Sequence, residues 1–343
     1  MSAEPTPERT ASAADRAVFA PGVHRALAPA KINLGLFLGP ARASDGKHEL
    51  VSVMQSISLA DELTLELAGT DSQQDEVICP GVPGGAEQNL AGAALRAFRA
   101  STSWQAPPLR LSIVKQIPVA AGLGGGSADA AAALRLAAHA SGLGDQQLLY
   151  ELGSQLGADV PAQIAPGRWL ASDAGEQLQQ LPSPRSSFGV LVLPLAAQLS
   201  TAAVYAEADQ LGLARTPHEL AERQLEMRSA LEHGAPLPVA SELLHNDLQR
   251  AAVSLCPQIA DALAQARDAG SQPALVSGSG PTVIGLFAHA GRAPDGGLAL
   301  AQAAAARLRH RIPAPICAAP VDAAFARAVT DVPVRHNSSH IDD

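Results

Sequence analysis

Hydrophobic and polar positions alternate with period two along residues 26–38. Ile32, Leu34, Leu36 and Leu38 fall on one side, and Lys31, Asn33, Gly35 and Phe37 on the other. Successive side chains of a strand point to opposite faces, so this stretch reads as a strand. The same period recurs at 62–67, which follows the stretch 50–59, and at 109–114, while 188–193 is an apolar run of strand length. Helical patterns are predicted at 87–98 (with Asn89 near the cap), 146–156, about 218–233, 258–269 and 298–309, and Ser200 opens another. Residues 274–287 read as strand, tight glycine turn, strand, and 315–319 as a last strand. The Pro/Ser-rich break at 182–187 divides the chain in two.

The organising stretch runs from Ile117 to Ala131. Four glycines, Gly122, Gly124, Gly125 and Gly126, precede an Ala/Leu run to about Ala140. Glycine lets the backbone reach positive φ and approach a ligand closely. The run that follows favours helix, with Ser127 and Asp129 as cap and first-turn residues. A glycine loop feeding a helix N-terminus is an anion site, suited to a nucleotide phosphate. It is not a Walker loop, which ends in Gly-Lys-Ser/Thr, nor a dinucleotide fingerprint, whose third glycine is replaced by Ser127. The plain alternative is a tight turn before a helix.

Composition narrows the partners. The chain has 343 residues, enough for two domains. A net charge of −9 argues against general nucleic-acid or membrane-surface binding. Cys79, Cys256 and Cys317 have neither metal spacing nor a disulfide framework and read as buried thiols of a reducing cytoplasm. Residues 1–21 carry no apolar signal or anchor segment, and the polar tail is expected to be loose.

Lysine is rare: Lys31, Lys47 and Lys115 stand against 21 arginines. A compact ammonium is not copied by a guanidinium, so each is a candidate for a specific task. Lys31 and Asn33 on one strand face can address a ligand together; the alternative is a solvated face. Asp159, two residues before Pro161, reads as a helix cap or as a functional carboxylate. His48 follows an Asp45-Gly46 turn, and Tyr205 is one of two tyrosines. Ser277, Gly278, Ser279 and Gly280 form either a plain hairpin turn or a small anion nest.

Several of these strings resemble one family. Pro-x-x-x-Gly-Leu-Gly-Gly-Gly-Ser at 118–127 resembles the ATP loop of the GHMP kinases, which phosphorylate small molecules. Pro-Ala-Lys-Ile-Asn-Leu at 29–34, Asp-Gly-Lys-His-Glu-Leu at 45–50, Gly-Ala-Asp-Val-Pro at 157–161, His-Asn-Asp-Leu at 245–248 and the turn at 277–280 follow in family order. Lys47 departs from the pattern, standing where that branch of the family carries an aromatic residue. The resemblance spans roughly 26–320.

It implies a two-domain α+β fold: a domain like the second domain of ribosomal protein S5 at 22–184 and a ferredoxin-like domain at 185–328. Disordered segments are expected at 1–21 and 329–343. It implies ATP with Mg²⁺, whose protein ligands stay unassigned. ATP would lie on Pro118, Val119, Ala120, Ala121, Gly122, Leu123, Gly124, Gly125, Gly126, Ser127 and Ala128. The acceptor it implies is a cytidine diphosphate-linked sugar alcohol, 4-diphosphocytidyl-2-C-methyl-D-erythritol, which would be phosphorylated on its 2-hydroxyl in the methylerythritol phosphate route to isoprenoid precursors. Asp159 would be the base, with Lys31 beside it and the γ-phosphate. Asn33, Lys47, His48, Tyr205 and 277–280 would bind the acceptor. Tyr205 would stack on cytosine and His48 read its edge, while Lys47 would give stem contact or attract the diphosphate. The expected protein is a cytoplasmic monomer or weak homodimer. Other readings are a homoserine-type kinase of the same family, a dinucleotide oxidoreductase, or a nucleotide-binding regulator without turnover.

Overall fold

The computed structural model describes residues 19–82, 86–184, 188–232, 242–288 and 295–331. The first half runs β1 (Val23–Ala41), β2 (His48–Leu67), β3 (Glu76–Ile78), α1 (Leu90–Thr102), β4 (Leu109–Val114), α2 (Gly125–Ser141), α3 (Gln146–Leu156), α4 (Val160–Ile164), β5 (Arg168–Ser172) and β6 (Gln177–Leu181). The second half runs β7 (Phe188–Leu193), α5 (Thr201–Gln210), α6 (Pro217–Leu231), α7 (Gln249–Leu255), α8 (Gln258–Asp268), β8 (Ala274–Val276), β9 (Val283–Ala288), α9 (Gly296–Arg307), β10 (Ile316–Ala318) and β11 (Val329–Asp331).

Two sheets result. Among the described residues, β1 and β2 form the spine of a seven-stranded sheet in the order β11-β1-β2-β4-β3, with β5 and β6 on the other half of β2. The stretch 50–59 and the strand pattern at 62–67 belong to one long strand, β2, that pairs β5 near its start and β4 at its end. The second sheet has the order β10-β7-β9-β8. With helices between β7 and β8 and between β9 and β10, this is the 4-1-3-2 arrangement of a ferredoxin-like domain. The two-domain α+β fold is therefore as expected.

Segments of the second half are stitched to the first sheet by backbone. Leu36 N–H donates to the His245 carbonyl at 2.8 Å, and Asp247 N–H to the Leu36 carbonyl at 2.9 Å. Val321 N–H donates to the Ser56 carbonyl. One apolar cluster takes Ile32 and Leu34 from the first sheet and Val190, Val192 and Ile284 from the second. Burying such side chains stabilises by about 1.5–3 kcal/mol each.

Four details depart from the sequence reading. β1 has no wet face: Lys31 and Asn33 are both buried. Register shifts between Pro29 and Lys31 and between Asn33 and Gly35 break the alternation, so Leu36 joins Lys31 and Asn33 in lining one cleft. The terminal segments are ordered further out than expected. Phe19 is buried against Trp104, and Val329–Asp331 pairs with Val23–Arg25. Of the cysteines only Cys256 is buried; Cys79 and Cys317 are half-buried. The rest of the expected loose ends, 1–18 and 332–343, lie outside the described residues, as do 185–187 at the expected break.

Candidate active site

The glycine stretch is held at the centre. α2 opens at Gly125, with Gly124 at the cap position in the left-handed region (φ +70°). Ser127 is therefore inside the helix and caps nothing, and Asp129 is buried in it. The N–H groups of the first turn have no intrahelical acceptor. Gly122 (φ +75°) and Gly124 are the positions that demand glycine. A Cβ on Gly122 would fall 2.6 Å from the Gly280 carbonyl oxygen, and one on Gly124 would fall 2.9 Å from Lys31 Cγ. Gly126 faces open space. Lys31 N–H donates to the Leu123 carbonyl at 2.9 Å, fastening the loop to β1.

Two cavities meet on this loop. One, of about 310 Å³, is lined by the loop from Pro118 to Ser127 together with Cys79, Val82, Asn89, Leu90, Lys115 and Asp129. The other, of about 370 Å³, is lined by Lys31, Asn33, Ser52, Asp159, Thr201, Tyr205, Gly278 and Ser279, among others. Gly122, Gly124 and Ser127 border both.

Asp159 stands at the cap position of α4, but its side chain makes no cap hydrogen bond. Its Oδ2 lies 3.4 Å from Lys31 Nζ. The ammonium also donates to Asn33 Oδ1 at 2.9 Å; Asn33 Nδ2 donates to Ser52 Oγ, which donates to the Gly35 carbonyl. This relay orients Lys31 from below. α4 is pinned to β1: Arg135 donates to the carbonyls of Gln163 and Leu27, and Gln163 Nε2 donates to the Pro29 carbonyl. The strand carrying Lys31 and the helix carrying Asp159 are thus one unit.

Tyr205 lies across the second cavity. Burial, and then the nearby Asp159 charge, push its hydroxyl up to about 12, so it stays neutral near neutrality. Its ring lies 5.4 Å from that of His48, tilted by 48°. His48 itself is turned inward. Nδ1 faces the Gly39 carbonyl at 2.9 Å, and Nε2 faces the Asp209 carboxylate at 3.2 Å. Both ring nitrogens are engaged by protein, so the expected edge reading by this imidazole is not what the structure presents.

Lys47 also departs from expectation. It is 60% exposed, lines neither cavity and reaches Glu176 at 3.0 Å. Arg42 meets Asp45, Asp173 and Glu176 in the same network. Hydrogen bonds from Arg42, then Lys47, pull Glu176 down to about 2. The network ties the 42–48 turn to the 173–176 turn, whose Ala174 and Gly175 line the second cavity.

Of the 277–280 turn, Gly278 and Ser279 reach the cavity; Ser277 is fully buried and Gly280 packs against Gly122. Asn246 holds the turn through the Val276 and Gly278 carbonyls at 2.8 and 2.7 Å. Ser52 and Thr201, and Cys79, Val82, Asn89 and Leu90 of the loop-cavity wall, carry no site signal in the sequence, since they lie outside the glycine-rich strings. Asn89 does cap α1, accepting from Ala91 N–H, but it also faces the loop cavity.

Residues 89–167 match the GHMP kinases N terminal domain, and 227–306 the GHMP kinases C terminal domain. A 4-diphosphocytidyl-2-C-methyl-D-erythritol kinase of Streptomyces coelicolor is 40% identical over 273 residues, covering 78% of this chain and 88% of the relative. The enzyme of that name from Corynebacterium diphtheriae is 38% identical over 320 residues, covering 88% and 97%. A crystal structure of 4-(cytidine 5'-diphospho)-2C-methyl-D-erythritol kinase superposes with a TM-score of 0.66 at 30% identity, covering 86% of this chain and 98% of that one. A homoserine kinase from Cytophaga hutchinsonii reaches 0.64 at 16% identity, a likeness of fold alone. Glycine loop, Lys31–Asp159 pair, two-sheet architecture and these relatives agree, and the chain belongs to the GHMP kinase family.

Proposed function

We propose that this chain transfers the γ-phosphoryl group of ATP to the 2-hydroxyl of 4-diphosphocytidyl-2-C-methyl-D-erythritol, giving the 2-phosphate and ADP in isoprenoid precursor synthesis. The observation that carries the reading is the Lys31–Asp159 pair, 3.4 Å apart, beside the loop glycines that border both cavities. The relatives of that name support the acceptor.

The loop cavity takes the nucleotide, its phosphates on the free N–H groups of the first α2 turn. The larger cleft takes the acceptor. The acceptor hydroxyl oxygen attacks the γ-phosphorus; the bond to the bridging oxygen breaks, and ADP leaves with that electron pair. The hydroxyl proton passes to Asp159. Lys31 orients Asp159 and offsets charge on the transferring group. Tyr205 covers a face of the base, and Gly278 and Ser279 offer an N–H and a hydroxyl to an anionic group.

Mg²⁺ would neutralise phosphate charge when bound. Among the described residues no group of three His, Cys, Asp or Glu stands together as a cage for it. No described helix is long and apolar enough to cross a membrane.

ATP turnover with a panel of acceptors tests the reading. The cytidylyl substrate should give ADP and the 2-phosphate at a rate far above homoserine or no acceptor. Faster turnover with homoserine would move the chain to another branch of the family.

A further inference from the structure

Lys115 is a lysine that the proposed chemistry leaves without a task, and it is held between two carboxylates. Its Nζ meets Asp61 Oδ2 and Asp129 Oδ2, the latter at 2.6 Å. Asp61 lies in β2, Asp129 in α2, and Lys115 just after β4, so one ammonium joins three elements at the root of the glycine loop. Asp61 Oδ1 accepts the N–H groups of Gln116 and Ile117 at 2.6 and 2.8 Å, fixing the first residues of the loop. The ammonium sits beneath the helix start: a Cβ on Gly125 would lie 3.4 Å from it. A planar guanidinium would need more room, which accounts for a lysine in an arginine-rich chain.

The charges do not balance. Two buried carboxylates share one ammonium. Asp61 is satisfied by Lys115 and two N–H groups, whereas Asp129 Oδ1 is buried with no hydrogen-bond partner among the described residues. Cys79, from the segment after β3, is the further titratable group facing the cluster. Lys115, Asp129 and Cys79 all line the loop cavity.

We propose that Asp61, Lys115 and Asp129 are the positioning unit of the nucleotide loop, and that Asp129 takes up a proton when the nucleotide anion enters the cavity. This rests on the reading of that cavity as a nucleotide site. Lys115 acts through the loop backbone, tying β2 to α2. An arriving anion raises the cost of the surplus negative charge, and neutralising Asp129 removes it. Burial already pushes Asp129 up to about 7 against the opposing pull of Lys115, so the proton is available near neutrality. The sign follows. Above about pH 7 the carboxylate is charged in the free protein and must be neutralised on binding, so affinity weakens as pH rises, by up to about tenfold per unit. Well below that value it is already neutral, and the dependence vanishes.

The experiment is calorimetric titration of ADP with Mg²⁺ into the full chain, in two buffers of different ionisation enthalpy between pH 6 and 8.5. The wild type should take up as much as one proton near pH 8. Asp129→Asn should abolish that uptake, flatten the pH dependence and bind ADP several-fold more tightly at pH 8. The phosphate titration of the nucleotide is common to both proteins and cancels. Lys115→Met should bind ADP at least tenfold more weakly. If it fails to fold, the Asp129→Asn comparison still decides. Proton uptake retained in Asp129→Asn, or a folded Lys115→Met with normal affinity, would overturn the proposal. A wild type that binds no ADP would instead overturn the nucleotide reading itself.

Discussion

Lys31 Nζ stands 3.4 Å from Asp159 Oδ2, although the two residues are 128 positions apart in the chain. The contact joins the spine strand β1 to the helix start after Gly157, and Asn33 and Ser52 hold the lysine in place from the other side. A pair whose lysine is this well anchored is suited to work as a unit on the same substrate.

Asp159→Asn keeps the side-chain size and removes the base. Turnover is expected to fall by about 10²–10⁴, the usual worth of acid–base help, with ATP still bound. Lys31→Met should cost a comparable factor, and the double variant should lose less than the product of the two. Single-turnover rates of the four proteins check this; strictly multiplicative losses would mean that the residues act separately.

The glycines separate into two kinds. A loop substitution at Gly125 does not meet a positive φ, so the conformational argument belongs to Gly122 and Gly124. Gly124→Ala strains the backbone and pushes on the Lys31 stem, so both ATP affinity and turnover should drop, kcat/KM by tenfold or more. A Cβ at Gly126 would face open space, so Gly126→Val should fold normally while raising KM for ATP. Unchanged ATP kinetics in that folded variant would take the loop out of the site.

Tyr205→Ala should raise the acceptor KM about tenfold, since base–aromatic stacking is worth roughly 1–3 kcal/mol, and leave KM for ATP nearly unchanged. Lys47→Ala should change the acceptor KM by less than about twofold, because an exposed ion pair contributes little. Steady-state kinetics of both variants decide between stacking and charge. A larger loss in Lys47→Ala than in Tyr205→Ala would reverse the assignment.

Asp247 joins the domains: it accepts Leu38 N–H from β1 and a two-pronged pair from Arg215 at 2.7 and 2.8 Å. Burial pushes this carboxyl up, but hydrogen bonds from His245, Arg215 and Leu38 outweigh it, so it lies below the ordinary value. A depressed carboxylate stabilises above the unfolded value of about 3.9 and loses that contribution as pH falls through the folded value. Asp247→Asn should cost about 1.5–3 kcal/mol at pH 7, and the gap to wild type should narrow near pH 3. Urea unfolding at both pH values tests it; an equal gap would assign the effect to packing.

Much of this protein follows from local order along the chain. The period-two runs, the Ala/Leu stretch after the glycines and Gln146–Leu156 mark their own elements, because backbone geometry repeats with a fixed period whatever surrounds it. The loop glycines and Lys31 stand out as chemically unusual in their setting, whereas Asp159 reads locally as a cap and stands out only through the resemblance of Gly-Ala-Asp-Val-Pro to the family string. What the tertiary structure alone decided is the partner of each group. Packing from both halves of the chain buries the middle of β1 on both sides, and register shifts interrupt its alternation. Asp159 pairs with Lys31 instead of capping its helix. His48 looks inward to Gly39 and Asp209, Lys47 outward to Glu176, and Lys115 down to Asp61 and Asp129. A side chain takes the partner that long-range packing brings within hydrogen-bond reach, and that distance is set by sheet register and domain docking, neither of which is written in neighbouring residues.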